Sequence, residues 1–200
     1  FSNNNSVILE KVKVNNSLYA NLLTQGANIE ASNCLFGNSN NYSAYISIGG
    51  SVQFEHCTFA NYVNTNRSTP AVIFKDYYLS TNNQAILRPF TKAKFTNCVI
   101  DGNSSTELVC DTLISYTNLS NDILFDHCAI TSEDSLSNLA LFNNCFLNLN
   151  SNFYDVENWS FDLNSSSDLI DIGTVSPIID DILGRSRISP NDLGCYEYQQ

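Results

Sequence analysis

The sequence predicts an all-β chain: a right-handed parallel β-helix of about seven to eight coils with an irregular C-terminal cap. Three observations carry that prediction. The first is a ten-residue unit, Val52 to Asn61 (VQFEHCTFAN). Its Val52 and Phe54 share one face of a strand, Cys57 and Phe59 share one face of a second, and Glu55-His56 shifts the phase between them. Two short strands therefore meet at a corner. The second observation is recurrence. The same pattern lies over Val7/Leu9/Val12/Val14, Ile29/Ala31/Cys34/Phe36, Val72/Phe74/Tyr77/Leu79, Ala93/Phe95/Cys98/Ile100, Ile123/Phe125/Cys128/Ile130 and Ala140/Phe142/Cys145/Leu147. Register positions 12, 34, 57, 77, 98, 128 and 145 are then 22, 23, 20, 21, 30 and 17 residues apart, the period of a solenoid with one such unit per coil. The third is the residue before each register position: Lys11, Asn33, His56, Asp76, Asn97, His127 or Asn144. Asn, Asp and His are the non-glycine residues that most readily accept positive φ, so five or six of these seven corners are expected to be left-handed. A helix reading fails because the apolar positions hold no 3.6-residue spacing and Asn-Ser-Gly clusters interrupt every candidate. Right-handed winding follows from the crossover rule for parallel strands.

In chain order, residues 1–16 open with polar FSNNNS and the first unit, VILEKVKV, whose Lys11 and Lys13 face outward. The second coil runs through Tyr19, Leu22 and Leu23 to IEASNCLF and ends in the turn cluster GNSNNYS. Tyr45-Ile46-Ser47-Ile48, followed by Gly49-Gly50, gives each coil a third strand: YISI before VQFEHCTF, and QAILRPF before KAKFTNCVI. AVIFKDYYLS reads as a degenerate coil. DGNSSTELVCD, residues 101–111, reads as a loop insertion followed by the strand TLISYT, and insertions of this kind map to one face of a solenoid. Coils therefore fill residues 1–152, and residues 153–200 form a capping segment of the same domain. The exposed first coil calls for a cap or for further coils of the same polypeptide upstream.

Cys34, Cys57, Cys98, Cys128 and Cys145 share one register position, so they stack as a column inside the core, where a thiol acts as a small hydrophobe. Adjacent rungs about 4.8 Å apart also leave bridging geometrically open. Packing is preferred because Val12 and Tyr77 fill the same slot without sulfur, and no CxxC or close Cys/His pair suggests a metal. The corner residues Asn33, Asn97 and Asn144 are expected to bond to one another from coil to coil.

Charge narrows the partners. Nine Lys and Arg against twenty Asp and Glu leave a net charge of -11, which argues against nucleic acid or anionic lipid. No apolar run is long enough for a transmembrane segment. A surface rich in neutral Asn, Ser and Thr suits neutral polysaccharide or host glycan, and Tyr42, Tyr45, Tyr62, Tyr77 and Tyr78 are candidate stacking residues, with Asp101 and Asp111 near the insertion. In the tail, Arg185 and Arg187 face Asp168, Asp171, Asp180, Asp181, Asp192 and Glu197. A local ion-pair and hydrogen-bond network built on Asp171, Arg187, Asp192 and Glu197 is the preferred reading, and a Ca2+ site is the alternative, since hard cations favour clustered carboxylates. No other cofactor is expected.

The units FTNCVI, FEHCTF, FDHCAI and FNNCFL resemble those of right-handed parallel β-helix proteins of the pectate-lyase-like superfamily. The tail segments SDLIDIG (167–173), DILGRSR (181–187) and DLGCYEY (192–198) resemble the C-terminal pattern of secreted or surface β-helix proteins of Bacteroidetes type. Asp168-Leu169 stands where that pattern often has Pro-Ala, and Cys195 where Ala is usual. The resemblance implies an extracellular or outer-membrane-surface protein, and its members include polysaccharide lyases, glycoside hydrolases and adhesin-like proteins.

For a lyase, Lys75, Lys92 and Lys94 form the best basic patch. For a glycosidase, Asp101, Asp111, Asp122 and Asp126 supply carboxylates, with His127 nearby. His56 and His127, three coils apart on this register, are too distant for one metal. The leading expectation is a non-catalytic β-helix region of an exported or cell-surface protein with a carbohydrate-binding or adhesive face. The alternative is a polysaccharide-degrading enzyme whose active cleft lies partly or wholly upstream of residue 1.

Overall fold

The computed structural model describes residues 6–63, 67–114, 123–136 and 141–199. Asp122, Ala140, residues 1–5 and the SYT of TLISYT lie outside them. The described chain is all-β, without a helix long and apolar enough to cross a membrane. Its path is a circuit through three parallel sheets. The first circuit is β1 (Ser6–Glu10), β2 (Lys13–Asn15) and β3 (Ala20–Gln25), and the second is β4 (Asn28–Ser32), β5 (Leu35–Gly37) and β6 (Tyr42–Ser47). The third is β7 (Gly50–Glu55), β8 (Thr58–Asn61) and β9 (Val72–Lys75), followed by a hairpin of β10 (Tyr77–Leu79) and β11 (Ala85–Leu87). The fourth is β12 (Phe90–Thr96), β13 (Val99–Gly102) and β14 (Leu108–Asp111). Two further passes follow, β15 (Ile123–Asp126) with β16 (Ala129–Ile130), then β17 (Phe142–Asn143) with β18 (Phe146–Leu147). A second hairpin, β19 (Phe153–Asp155) and β20 (Ser160–Leu163), opens the tail.

The first sheet has the order β1-β4-β7-β12-β15-β17, the second β2-β5-β8-β13-β16-β18 and the third β3-β6-β9-β14. Among the described residues the first two sheets thus meet in six corners, one fewer than the seven units read from sequence. The difference lies in AVIF. Val72 and Phe74 pair with Ala44 and Ile46 of β6, in the third sheet, so Tyr77 is not a column residue. The Asp76 corner is not left-handed, whereas Lys11, Asn33, His56, Asn97, His127 and Asn144 all have φ between 49° and 54°. QAILRPF is likewise displaced: Ala85–Leu87 pairs antiparallel with Tyr77–Leu79 instead of supplying a third-sheet strand. LVCD, read as part of a loop, is that strand, paired residue for residue with Val72–Lys75. Period-two alternation marks a half-buried strand but does not say which sheet receives it.

Inside the circuit, matching residues stack at the strand repeat. Phe54, Phe95, Phe125 and Phe142 form a ladder with centroid separations of 4.8, 4.8 and 5.3 Å, and Phe36 lies 5.2 Å from Phe59. Full burial of each such ring contributes about 1.5–3 kcal/mol. The column cysteines are free thiols. Each thiol donates to the carbonyl two residues earlier, as Cys34 Sγ to Ser32 O at 3.2 Å and Cys98 Sγ to Thr96 O at 3.3 Å. Each also donates to a carbonyl of the preceding pass, as Cys57 Sγ to Ala31 O at 3.6 Å. A thiol in this slot therefore packs like a hydrophobe and also supplies a weak donor at the corner. Burial, then the neighbouring thiols, push the Cys98 thiol well up from its ordinary range.

The tail packs against the second sheet. It runs back along the outside of the second sheet, from the last pass to the first. Leu35, Ala60, Val99 and Ala129 point out of that sheet and are buried against Phe161, Leu169, Leu193 and Cys195. Two positions show how closely it lies. A Cβ on Gly37 would meet Phe161 Cε2 at 2.8 Å, and a Cβ on Gly194, at φ 86°, would meet Thr58 Oγ1 at 2.6 Å. The second sheet consequently has both faces buried, as its apolar pairs (Leu35-Phe36, Val99-Ile100, Ala129-Ile130) require.

Candidate functional site

The outer face of the third sheet gathers most of the candidate ligand-binding residues. In β6 the alternation turns Ala44 and Ile46 into the core, leaving Tyr45 outside. Tyr42 lies at the start of the same strand, and Tyr19 reaches the pair from the turn before β3. The ring centroids are 5.6 Å (Tyr19–Tyr42), 6.0 Å (Tyr19–Tyr45) and 5.2 Å (Tyr42–Tyr45) apart. Burial first, and the neighbouring Tyr19, raise the Tyr42 phenol pKa. The parallel register places Lys75 directly beside Asp111, and Lys75 Nζ sits 2.6 Å from Asp111 Oδ2. Partial burial opposes the Lys75 charge, but the Asp111 carboxylate outweighs it and raises the Lys75 pKa; the same contact holds Asp111 low against its own burial.

The hairpin inserted after β9 forms a wall beside this face. Tyr77 Oη lies 3.0 and 3.1 Å from the two Asp111 oxygens, and Lys75 Nζ is 5.2 Å from the Tyr77 ring centroid. Tyr78 stacks under Arg88, whose Cζ lies 5.5 Å from the ring centroid. Between the sheet and the hairpin is a hollow of about 200 Å³ lined by Tyr45, Ser47, Lys75, Tyr77, Tyr78 and Leu79, among others. Its chemistry is a set of tyrosine rings around the Lys75 ammonium, which Asp111 holds from outside the hollow.

Tyr62 and Asp101 do not belong to this face. Asp101 is buried, and its Oδ1 accepts from Thr131 Oγ1 at 2.6 Å and from Gly102 N at 2.8 Å. Its other oxygen accepts from Tyr62 Oη and Ser151 Oγ. Burial, then the Asp101 charge, pushes the Tyr62 phenol far above its ordinary range. The Tyr62 ring also packs against Phe153 and Phe161 of the tail, with centroids 6.1 and 6.4 Å away, and Asp101 ties Tyr62, Thr131 and Ser151 together.

The corner asparagines also differ from the expected ladder. Asn33 Nδ2 donates to Asp180 O at 2.8 Å, and its Oδ1 accepts from Arg187 Nη2 at 2.7 Å. Asn97 pairs with Thr174 in the same manner and lies 3.1 Å from His56 Nε2. Asn144 is exposed, at the edge of a hollow that the tail residues Asp171, Ile172, Gly173 and Pro190 also line. A side-chain amide at a left-handed corner matches a peptide group, so the tail backbone satisfies it where the tail passes. In the tail itself, Arg187 Nη1 meets Glu197 Oε2 at 3.0 Å, and Glu197 Oε1 accepts Ile188 N at 2.8 Å. Asp192 accepts Asp171 N at 2.8 Å and Tyr198 N at 2.6 Å, while Asp171 has φ 59°. Carboxylates here replace the partners that regular secondary structure gives to backbone N–H groups. Among the described residues no group of three or more His, Cys, Asp or Glu is placed to hold a metal ion.

The groups named for catalysis are dispersed. Lys75 is on the third sheet, whereas Lys92 and Lys94 are on β12 of the first, so they form no single patch. Asp111 is on the third sheet, Asp126 on the first and Asp101 buried on the second, and Asp122 lies outside the described residues. His56 and His127 stand two passes apart, not three, because the Asp76 unit is not a corner. His56 is fully buried beneath the tail, and His127 Nδ1 lies 2.8 Å from Asp126 Oδ1.

Tyr19 completes the aromatic cluster but reads in the sequence as one more coil residue. The buried pair Arg67 and Glu107, with side chains 1% and 0% exposed, is the other omission. Glu107 also accepts Ala71 N and Ser104 N, each at 2.7 Å. The one available signal was a glutamate opening the apolar LVC run. No protein-family model matches the chain, and no curated protein matches it.

Proposed function

We propose that the three parallel sheets are the walls of a right-handed parallel β-helix of the pectate-lyase-like kind, and that the chain is a non-catalytic, carbohydrate-binding region of a protein exported to the cell surface. The observation that carries the binding reading is the third-sheet face, where Tyr19, Tyr42 and Tyr45 lie within 6.0 Å of one another beside the Lys75–Asp111–Tyr77 group. Aromatic rings offer flat apolar area to the C–H face of a sugar, and the adjoining charged and phenolic oxygens take its hydroxyls. A net charge of -11 favours a neutral glycan over a polyuronate. The Bacteroidetes-type tail pattern supports export to an extracellular or outer-membrane surface.

A glycan array followed by titration of the best hit tests the reading. Tyr45→Ala and Tyr77→Ala are expected to weaken binding at least tenfold, and Tyr154→Ala, at an exposed tyrosine of the tail hairpin, to leave it unchanged. A blank array, or full binding by the Tyr45→Ala and Tyr77→Ala variants, overturns it.

A further inference from the structure

We propose that a second surface, the groove between the outer face of the first sheet and the tail, takes an extended cationic peptide. It is separate from the tyrosine face and does not depend on the glycan reading. The groove encloses about 520 Å³. Its floor follows from strand parity. Ile29, Ala31, Val52, Phe54, Ala93, Phe95, Ile123 and Phe125 turn into the core, so Glu30, Gln53, Glu55, Lys94 and Asp126 turn out. Its wall is the tail segment containing Thr174, Val175 and Pro177, fixed in place by Asn97 on Thr174 and by a 2.6 Å bond from Ser176 Oγ to Glu55 Oε1.

Charge and spacing select the occupant. Three carboxylates, Glu30, Glu55 and Asp126, face two ammonium groups, Lys94 in the lining and Lys92, whose Nζ bonds Gln53 Oε1 of the floor at 2.6 Å, so the floor keeps a net negative charge. Their nearest partners are neutral Ser176 on Glu55, and His127 with Asn143 on Asp126. Glu55, Thr96 and Asp126 are register partners on successive strands, so Glu55 and Asp126 stand about 9.6 Å apart. A polyproline-type peptide returns the same face every third residue, about 9.3 Å along. A basic residue at every third position therefore meets both carboxylates in succession. Val175 and Ile8, 82% and 73% exposed, are apolar contacts for the intervening side chains. Nucleic acid is excluded by the same charges.

The test is a fluorescence-anisotropy titration with a labelled nonapeptide made of three Lys-Pro-Val repeats, at low and moderate salt. Controls are its Glu-Pro-Val counterpart and a chitosan hexamer as competitor. Saturable binding of the lysine peptide alone, weakening with salt, is expected. Glu30→Gln and Glu55→Gln should each weaken it about threefold and Lys94→Gln should strengthen it by a similar factor, while Tyr45→Ala should have no effect. The proposal is overturned by absence of saturable binding, by affinity indifferent to Glu55→Gln and Lys94→Gln, or by tighter capture of the chitosan hexamer than of the peptide.

Discussion

Asn97 grips Thr174 with both halves of its side-chain amide. Its Nδ2 donates to Thr174 O and its Oδ1 accepts Thr174 N, each at 2.8 Å, across 77 residues of sequence. A corner residue selected for its backbone angle thus also docks the tail. Asn144 occupies the same kind of corner at φ 49° but is exposed. Asn97→Ala is therefore expected to cost about 2–3 kcal/mol more than Asn144→Ala in urea denaturation, since both lose the favoured corner residue and only the first strands buried donors and acceptors. Equal costs for the two would contradict the docking role.

The thiol column predicts graded reactivity. Cys34, Cys57, Cys98 and Cys128 are buried, Cys145 at the end of the column is half-buried, and Cys195 is buried with its thiol pushed up to about 12 by burial. With N-ethylmaleimide at neutral pH, followed by mass spectrometry of the native protein, Cys145 should react first within the column. Cys57, Cys98 and Cys128 should react at least about a hundredfold more slowly, at a rate set by opening of the stack. All seven cysteines should react in denaturant.

The Arg67–Glu107 pair is desolvated on both sides and so expensive to break. Arg67→Met leaves a buried carboxylate without its cation and is expected to lower stability by about 3–5 kcal/mol. Adding Glu107→Gln should recover part of the loss, because the amide oxygen still accepts one of the two backbone N–H groups and carries no charge. A double-mutant cycle by thermal or urea unfolding measures the recovery, and strictly additive losses would show that the pair is not coupled.

Acid should weaken the fold through His56. Burial, and then the charge of Arg187, lower its pKa from 6.5 to about 3. A basic group held low in the folded state takes up protons on unfolding, so its contribution is complete above pH 6.5 and is lost as pH falls toward 3. The loss from pH 6.5 to 4 is at most about 3 kcal/mol. Asp192 acts in the opposite sense. Burial raises it from 3.8 to about 6, a contribution present below pH 3.8 and lost as pH rises through 6. The urea midpoint at pH 7 minus that at pH 4 should therefore be shifted down in His56→Gln and up in Asp192→Asn relative to the parent protein. An unchanged difference in His56→Gln would place the acid sensitivity elsewhere.

Strand parity and corner angles were legible because both are local. Asn33, His56, Asn97, His127 and Asn144 adopt the left-handed angle that their side chains favour, and Lys11 adopts it too, with Nζ bound 2.6 Å from Asp180. Asp76 misled because a β-branched and aromatic run such as AVIF looks the same in every wall. The destination of the tail was written in the paired apolar residues after each column cysteine, NCLF, NCVI and HCAI, which give both faces of the second sheet something to bury. A spacing argument that followed only the inward positions passed over the outward ones. Of the candidate site, Tyr42, Tyr45, Tyr77, Tyr78 and Asp111 converge, whereas Tyr62 and Asp101 do not. Composition named the residue types, and only their packing, Asp101 against Thr131 and Ser151 and Tyr62 against Phe153 and Phe161, set two of them apart.

The tail's return path also bears on how the molecule comes apart. A stack of repeats that touch only their neighbours behaves like a one-dimensional array and frays from either end. Here Lys11 is tied to Asp180, Thr58 Oγ1 to Cys195 N and Asn97 to Thr174, contacts that reach from the first pass to the fourth through one late segment. That segment works as a tie-rod. It adds loop closures of up to 169 residues to the folding reaction, which slows assembly, and it makes loss of any one pass felt by the others.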